Sequence, residues 1–437
     1  MSDVVEVRLW GTTIGHLGYS PGQRRIATFE YDDAFGGSGI AVSPIMMPCP
    51  PALHRFDELY TRTFSGLPGI FADSLPDKFG NQLIDLYMAE QNIPPDEITA
   101  LDRLLYVGER GMGALEYHPV ADLAGGKGTE VALDIHALAG LADLLTSRSK
   151  RKHRELLTAE NRSTALRLIR VGSSAGGARS KALVARSPDG SLFDGSTDHG
   201  TDYTYWILKF DTETNSDLDA VDPKGMPKVE YIYSLIAEGC GIEMPRTDYL
   251  ADGEEFHFLV ERFDRVADEG RVSKLHYGSW AGLAHADRDP VGTHSYEELI
   301  LLARRLGLGQ DEVTELFQRA VFNVVGRNQD DHTKNFGFLM NKSGAWRLAP
   351  AFDMTYSYDP GGKWTRSHQI SLNRKQDGFR REDLLALGRH ANLTEKKAEA
   401  VIQRTIDAFR RFPQLAKSYE VQPELAYTVE RGMRLDL

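Results

Sequence analysis

The sequence predicts an α+β protein of two lobes. The first half is dominated by short β-branched or aromatic segments separated by Gly/Asp turns, and from Tyr296 on the chain turns to long amphipathic helices. At 437 residues it is long enough for two or three domains, and a cleft between lobes is a natural ligand site.

Along residues 5–31, Val5, Val7 and Leu9, then Ala27, Phe29 and Tyr31, alternate with polar neighbours, as half-buried strands do. SLPDKFGNQLIDLYMAEQ (74–91) reads as a helix with Leu83, Ile84, Tyr87 and Met88 on one face. The Gly-rich VGERGMGALEYHP (107–119) reads as a strand pair that closes this unit, with a boundary near 125 in LAGGKGTE. A second helix is expected over 130–147. The basic run SRSKRKHRE (147–155) follows it, as a solvated helix end or as a contact for a partner or nucleic acid. LRLIRV (166–171), KALVARS (181–187), YTYWILKF (203–210) and FHFLVERF (256–263) read as strands. Helices are expected over 296–308, 311–325 and 393–412.

Composition excludes several classes. No apolar run approaches the roughly 20 residues needed to cross a bilayer, and the N-terminus lacks the basic-then-apolar pattern of a signal peptide. Cys49 and Cys240 are too few for a disulfide framework, so a reducing, cytoplasmic compartment is expected. A net charge of −12 argues against a broad nucleic-acid surface.

The densest chemistry lies in RNQDDHTKNFGF (327–338), directly after the apolar AVFNVV. FGFLM (336–340), the turn NKSG (341–344) and AWRLAPAFDM (345–354) read as a hairpin. Its pairing would bring Asn335 beside Asp353, two hard oxygen ligands of the kind Mg²⁺ prefers. Asp330 would stand one loop away, free to orient or deprotonate a hydroxyl. A transition-metal cluster of Asp330, Asp331 and His332, or a plain polar loop with His332 hydrogen-bonded inside it, are competing readings.

RVGSSAGGARSKALVARS (170–187) sets a Gly/Ser loop between two strand-like segments. Gly172, Gly176 and Gly177 permit close backbone approach to phosphates, but Lys181 follows Ser180, so this is not a P-loop. Lys209 lies in an apolar strand, where a buried lysine needs partners; Glu230, opening EYIYSLIAEG, is one candidate and a nucleotide phosphate another. FHFLVERF could link two lobes, with the backbone at Glu261–Phe263 meeting adenine, or form an amphipathic edge strand.

In their order and spacing these motifs resemble the HipA serine/threonine kinases, the toxin halves of bacterial HipBA-type toxin–antitoxin modules. The resemblance runs through LWGTTIGHLGY, FADSLPDKFGN, the Gly loop, the strand lysine, NQDDHTKN and PAFDM. It implies a protein-kinase-like fold: a β-rich N-terminal subdomain (1–125), a kinase N-lobe (126–260) and an all-helical C-lobe (261–437). Asp330 would be the catalytic aspartate, with Asn335 and Asp353 holding Mg²⁺. Lys209, supported by Glu230, would contact the ATP phosphates. Gly176, Gly177 and Lys181 would belong to the phosphate-covering loop, and Glu261 and Phe263 to the adenine hinge. Ser174, next to Ser173, would be autophosphorylated, and the added charge of about −1.5 to −2 would repel ATP and silence the kinase. A HipB-like DNA-binding antitoxin is the implied partner, with DNA met only through it, and an aminoacyl-tRNA synthetase is the family precedent for a protein target. Departures from the family pattern, Arg179-Ser180, the longer GRNQD loop and HYGSWAGLAHADRD (276–289), touch none of the proposed catalytic groups and bear on the protein target, because the peptide-facing surface is where branches diverge. A small-molecule or lipid kinase, and an idle ATP-binding partner of a repressor, are the alternatives.

Overall fold

The alternation at the N-terminus becomes a five-stranded antiparallel sheet in the order β4-β3-β2-β1-β5. Its strands are β1 (Val4–Leu9), β2 (Thr12–Ser20), β3 (Gln23–Tyr31), β4 (Leu53–Arg55) and β5 (Leu115–His118). Val5, Val7, Leu9, Ala27, Phe29 and Tyr31 all face the core, as their spacing predicts. The structure is a computed structural model that describes residues 3–119, 131–146, 162–172, 179–212 and 223–437.

Helix α1 (Lys78–Glu90) forms where the 3.6-residue pattern places it, with the Asp77 carboxylate capping the Gly80 N–H at 2.8 Å. Helix α2 (Ala100–Val107), started by a capping box of Thr99 and Asp102, ends where the strand pair expected at 107–119 would begin; residues 108–114 form turns instead of its first strand, so only β5 remains of that pair. Helix α3 (Ile135–Thr146) matches its expectation; the basic run 147–155 lies outside the described residues. LRLIRV corrects the sequence reading: it is part of helix α4 (Arg162–Gly172), not a strand. Ala165, Leu168, Ile169 and Gly172 repeat at three- and four-residue intervals and are buried, a helical period too short to distinguish from a strand in a six-residue window.

A second antiparallel sheet has the order β7-β6-β8-β10-β9. It contains β6 (Lys181–Arg186), β7 (Leu192–Asp194), β8 (Thr204–Lys209), β9 (Thr247–Asp252) and β10 (Glu255–Glu261), with helix α5 (Met226–Gly239) between β8 and β9. After β10 come the hairpin β11 (Arg265–Asp268) and β12 (Arg271–Lys274), then β13 (His276–Ser279). β13 pairs with β14 (Gly337–Met340), which pairs with β15 (Trp346–Leu348). The C-terminal half is thus helical except for these strands. Its helices are α6 (Tyr296–Arg305), α7 (Gln310–Gly326), α8 (Arg381–His390), α9 (Glu395–Phe409), α10 (Phe412–Ser418) and α11 (Pro423–Gly432). The helix expected over 393–412 breaks after Phe409, and Phe412 starts the next one with Pro413 in its first turn. Among the described residues, no helix is long and apolar enough to cross a membrane.

Two cores organise these layers. Phe79 and Leu83 of α1 pack with α3 and α4 over the second sheet, around Trp206 and Leu208. The N-terminal sheet instead shares one continuous core with α5 and the C-terminal helices. A polar seam fastens it there. The buried Asp264 carboxylate accepts the Gly113 N–H at 2.7 Å and pairs with Arg262 at 2.8 Å and with Arg265 at 2.5 Å, and Arg262 also donates to the Gly111 carbonyl. Asp73 accepts from the Ser279 N–H and hydroxyl, both at 2.7 Å. His276 Nε2 donates to the Val42 carbonyl at 2.9 Å, and His285 Nε2 accepts from the Gly69 N–H at 3.1 Å.

Burial disfavours the charged form of both histidines and pushes each from 6.5 to about 4. A group whose folded pKa is depressed lends stability that is full above its unfolded pKa and is lost as pH falls towards the folded one. Thermal melts should therefore show stability falling between pH 6.5 and about 4, and His276→Phe should make that slope shallower. An unchanged slope in the variant would rule out the seam histidine as its source.

Candidate functional site

The apolar AVFNVV is the last buried stretch of α7, and Arg327 stops the helix in the left-handed region (φ 55°). The polar loop that follows runs to a turn of 3₁₀ helix at Thr333–Asn335. The Asn335 side-chain N–H donates to the Asp330 carbonyl at 2.8 Å, which fixes the amide and leaves Oδ1 as its oxygen for a cation.

Asp353 arrives differently from the expectation. β15 ends at Leu348, so Asp353 lies beyond the ladder in an irregular segment rather than on a returning strand. Its φ of 53° is costly for a non-glycine residue and marks a conformation that its surroundings impose. The Asn328 side chain donates to the Asp353 carbonyl at 3.4 Å and ties the two segments together.

The second sheet supplies the cations. Lys181 and Lys209 face each other directly across β6 and β8 and are 2 % and 7 % exposed. Two buried like charges in cross-strand register repel unless carboxylates meet them. Lys209 pairs with both Glu230, from α5, and Asp353, and Lys181 lies 3.8 Å from Asp77. Arg179 stands 3.8 Å from the other Glu230 oxygen. Burial works against a charged Lys209, but Asp353 and Glu230 outweigh it and hold its pKa above the ordinary lysine value. Burial lowers that of Lys181. Asp353 is held well below the usual carboxylate range, since Lys209 and Lys181 overcome its burial. Asp330 goes the other way: burial, reinforced by Asp353 and Asp331 and opposed by Arg288, lifts it to about 7. Two carboxylates in one cleft are thus driven apart, one firmly ionised and one poised near neutrality.

Of the expected adenine hinge, Glu261 ends β10, and its N–H donates to the Arg246 carbonyl at 2.8 Å. The Arg262 N–H is likewise taken by the Tyr205 carbonyl at 2.7 Å, so an adenine contact must use other groups of this segment. Phe263 packs against Phe352, with ring centroids 5.9 Å apart, next to Asp353. The loop bearing Gly176, Gly177, Ser173 and Ser174 lies outside the described residues; it follows a helix, not the expected strand.

The partners of Asp331, and the part played by Tyr296, His368, Gln369 and Arg434, were not foreseen. Asp331 is buried and accepts from the Tyr296 hydroxyl (2.7 Å), His368 Nδ1–H (2.7 Å) and the Gln369 N–H (2.8 Å). Arg434 reaches His368 Nε2 at 3.2 Å, which assigns the ring hydrogen to Nδ1. The Gln369 side chain donates to the Asp330 carboxylate. His332 stands with Nε2 4.0 Å from Asp330, and its Nδ1 has no hydrogen-bond partner among the described residues, against the expectation of a loop-bonded histidine. The adjacent carboxylates Asp330 and Asp331 therefore face different surroundings and do not form a cluster with His332. No partner of Asp331 within ten residues signals its role.

A model of the HipA N-terminal domain matches residues 5–118, and one of the HipA-like C-terminal domain matches residues 173–411. The chain is similar to two curated proteins of Sinorhizobium fredii (strain NBRC 101917 / NGR234). It is 25% identical to "Putative kinase Y4dM" over 221 residues, 47% of this chain and 50% of that protein. It is 28% identical to "Putative kinase Y4mE" over 137 residues, 30% of this chain and 32% of that protein. The chain thus spans about half the length of the first and a third of the second. Its fold is that of a chain in the complex of the Shewanella oneidensis MR-1 toxin–antitoxin system HipA and HipB with operator DNA. That likeness has a TM-score of 0.67 at 17% identity and covers 98% of this chain and 94% of that one.

Replacing Asp331 by Ala would leave the three buried donors of Tyr296, His368 and Gln369 unpaired. A loss of about 3–5 kcal/mol in denaturant unfolding is expected, as for other broken buried charge networks. A loss below 1 kcal/mol would show that this network does not anchor the loop.

Proposed function

The chain belongs to the HipA family, and from that premise we propose that it is an ATP- and Mg²⁺-dependent protein serine/threonine kinase. The observation that carries this reading is the buried Lys209, paired at once with Glu230 and Asp353 and set across from the Asp330 loop. This is the division of labour of phosphoryl transfer, with a strand lysine for phosphates, a helix glutamate to hold it, a metal aspartate and a loop aspartate for the acceptor.

Asn335 Oδ1 and the Asp353 carboxylate are hard oxygen donors that suit Mg²⁺. When bound, Mg²⁺ would neutralise the phosphate oxygens of ATP. Lys209 and Lys181 would face those phosphates, with Glu230 and Asp77 keeping both lysines in place once Asp353 turns to the metal. Asp330 would accept the proton of a serine or threonine hydroxyl as its oxygen attacks the γ-phosphorus in line and the bond to the β-phosphate oxygen breaks. A carboxyl poised near neutrality suits that role. The Gln369 side chain holds one oxygen of Asp330 and leaves the other for the acceptor.

A translation-related protein, such as an aminoacyl-tRNA synthetase, is the proposed target. The likeness to a chain solved with HipB and operator DNA supports a HipB-like DNA-binding antitoxin as partner. Autophosphorylation of Ser174 would add negative charge beside the phosphate site and switch the enzyme off.

Asp330→Asn should lower phosphotransfer by roughly 10²–10⁴-fold without changing the melting temperature, since it removes the proton acceptor and little else. Undiminished transfer of labelled γ-phosphate would refute the assignment. In wild-type protein incubated with Mg-ATP, mass spectrometry should find phosphate on Ser174; phosphate only outside residues 172–181 would count against loop autophosphorylation.

A further inference from the structure

Asp77 belongs to the N-terminal unit, yet it meets a lysine of the second sheet. Its two oxygens do different things. Oδ1 accepts the Gly80 N–H at 2.8 Å and caps α1. Oδ2 stands 3.8 Å from Lys181 Nζ. The cap holds the carboxylate still, so its second oxygen meets the lysine from a fixed point. Helix α1 is itself fastened to the N-terminal unit. Arg103 of α2 donates to Asn81 at 2.7 Å and to Asp85 at 2.8 Å, one turn apart on α1.

The same helix packs where the Gly/Ser segment leaves and rejoins the regular structure. Gly172 ends α4 just before that segment, and Lys181 begins β6 just after it. A β-carbon on Gly172 would lie 2.8 Å from Leu83, 3.2 Å from Phe79 and 3.1 Å from the Lys181 carbonyl oxygen. A glycine is what lets these backbones and the two buried α1 side chains come so close. Helix α1 thus supplies packing at Gly172 and a charge at Lys181.

That charge has work to do. Lys181 is 2 % exposed and stands opposite Lys209 across the strands. Burial works against its charged form, and Asp77 is the strongest of the groups that favour it, ahead of Asp353 and Glu230. Those two carboxylates are already engaged by Lys209. Without Asp77, the buried ammonium would lose its nearest counter-charge and either give up its proton or turn away.

We propose that Asp77 is a positioning residue of the nucleotide site, through which the N-terminal unit holds the Lys181 ammonium toward the ATP phosphates and so sets the affinity for Mg-ATP. This inference rests on the ATP-dependent kinase reading. It assigns a task in nucleotide binding to a unit that otherwise lies outside the two kinase lobes. Because Lys181 faces the phosphates and not the acceptor, the effect falls on binding more than on the rate of transfer.

The test is calorimetric titration of the full-length protein with Mg-ATP, for wild type, Asp77→Asn, Asp77→Ser and Asp77→Ala. Asn and Ser keep an oxygen for the Gly80 N–H and remove the charge. Both should keep the wild-type melting temperature and bind Mg-ATP about tenfold more weakly, the worth of one charge-assisted contact. Affinity should fall as pH rises and Lys181 loses its proton, and in Asp77→Asn that fall should begin at lower pH than in wild type. In turnover assays KM for ATP should rise about tenfold while kcat changes far less. Asp77→Ala loses the cap as well and should also melt lower. Equal or tighter Mg-ATP binding in Asp77→Asn and Asp77→Ser would overturn the proposal, and so would a loss confined to kcat or an unmoved pH profile. A wild-type protein that does not bind Mg-ATP would instead overturn the kinase reading, and this inference with it.

Discussion

The cleft is organised around one problem of electrostatics: two lysines buried face to face on adjacent strands. Lys181 and Lys209 cannot share that register in an apolar sheet unless carboxylates reach them from outside it. Three do, each from a different part of the molecule: Asp77 from the start of α1, Glu230 from α5 and Asp353 from the segment after β15. The charge on the strands therefore dictates where the N-terminal unit, the helix between β8 and β9 and the C-terminal half must meet. The shape of the cleft follows from pairing these charges.

The same logic explains why the N-terminal unit is not a separate body. Its sheet shares a core with the C-terminal helices, while its helix α1 covers the other sheet. Polar groups along the seam are paired across it: Asp264 with Gly113, Asp73 with Ser279, Asp287 with Thr63. Separating the units would expose apolar surface and strand these groups without partners. The N-terminal unit is in this way a structural part of the C-terminal half, and it braces the loop on which Arg288 stands.

Local patterns in the sequence were enough for much of this. The alternation around Val5–Leu9, the face of α1 and the apolar strand around Lys209 carry period and composition that survive into the fold. LRLIRV was misread because six residues hold fewer than two helical turns, and its helical partners lie on either side in less apolar sequence. Around the site, Asp330, Asn335, Lys209 and Glu230 could be picked out because their chemistry is expensive in an apolar context. Asp331 could not be given a role: its meaning lies in Tyr296, His368 and Gln369, at least thirty-five residues away. The left-handed backbone of Asp353 was equally hidden, because hairpin reasoning assumes that a strand continues until a turn residue stops it.

The buried line from Tyr296 through Asp331 and His368 to Arg434 has a consequence in time as well as in space. Protein synthesis delivers the Asp330 loop long before it delivers Arg434, the residue that closes this line. A ribosome-bound chain holds Asp330 on an unfinished support until translation has passed that point. The loop that carries Asp330 and Asn335 can therefore take its final form only after Arg434 has been added.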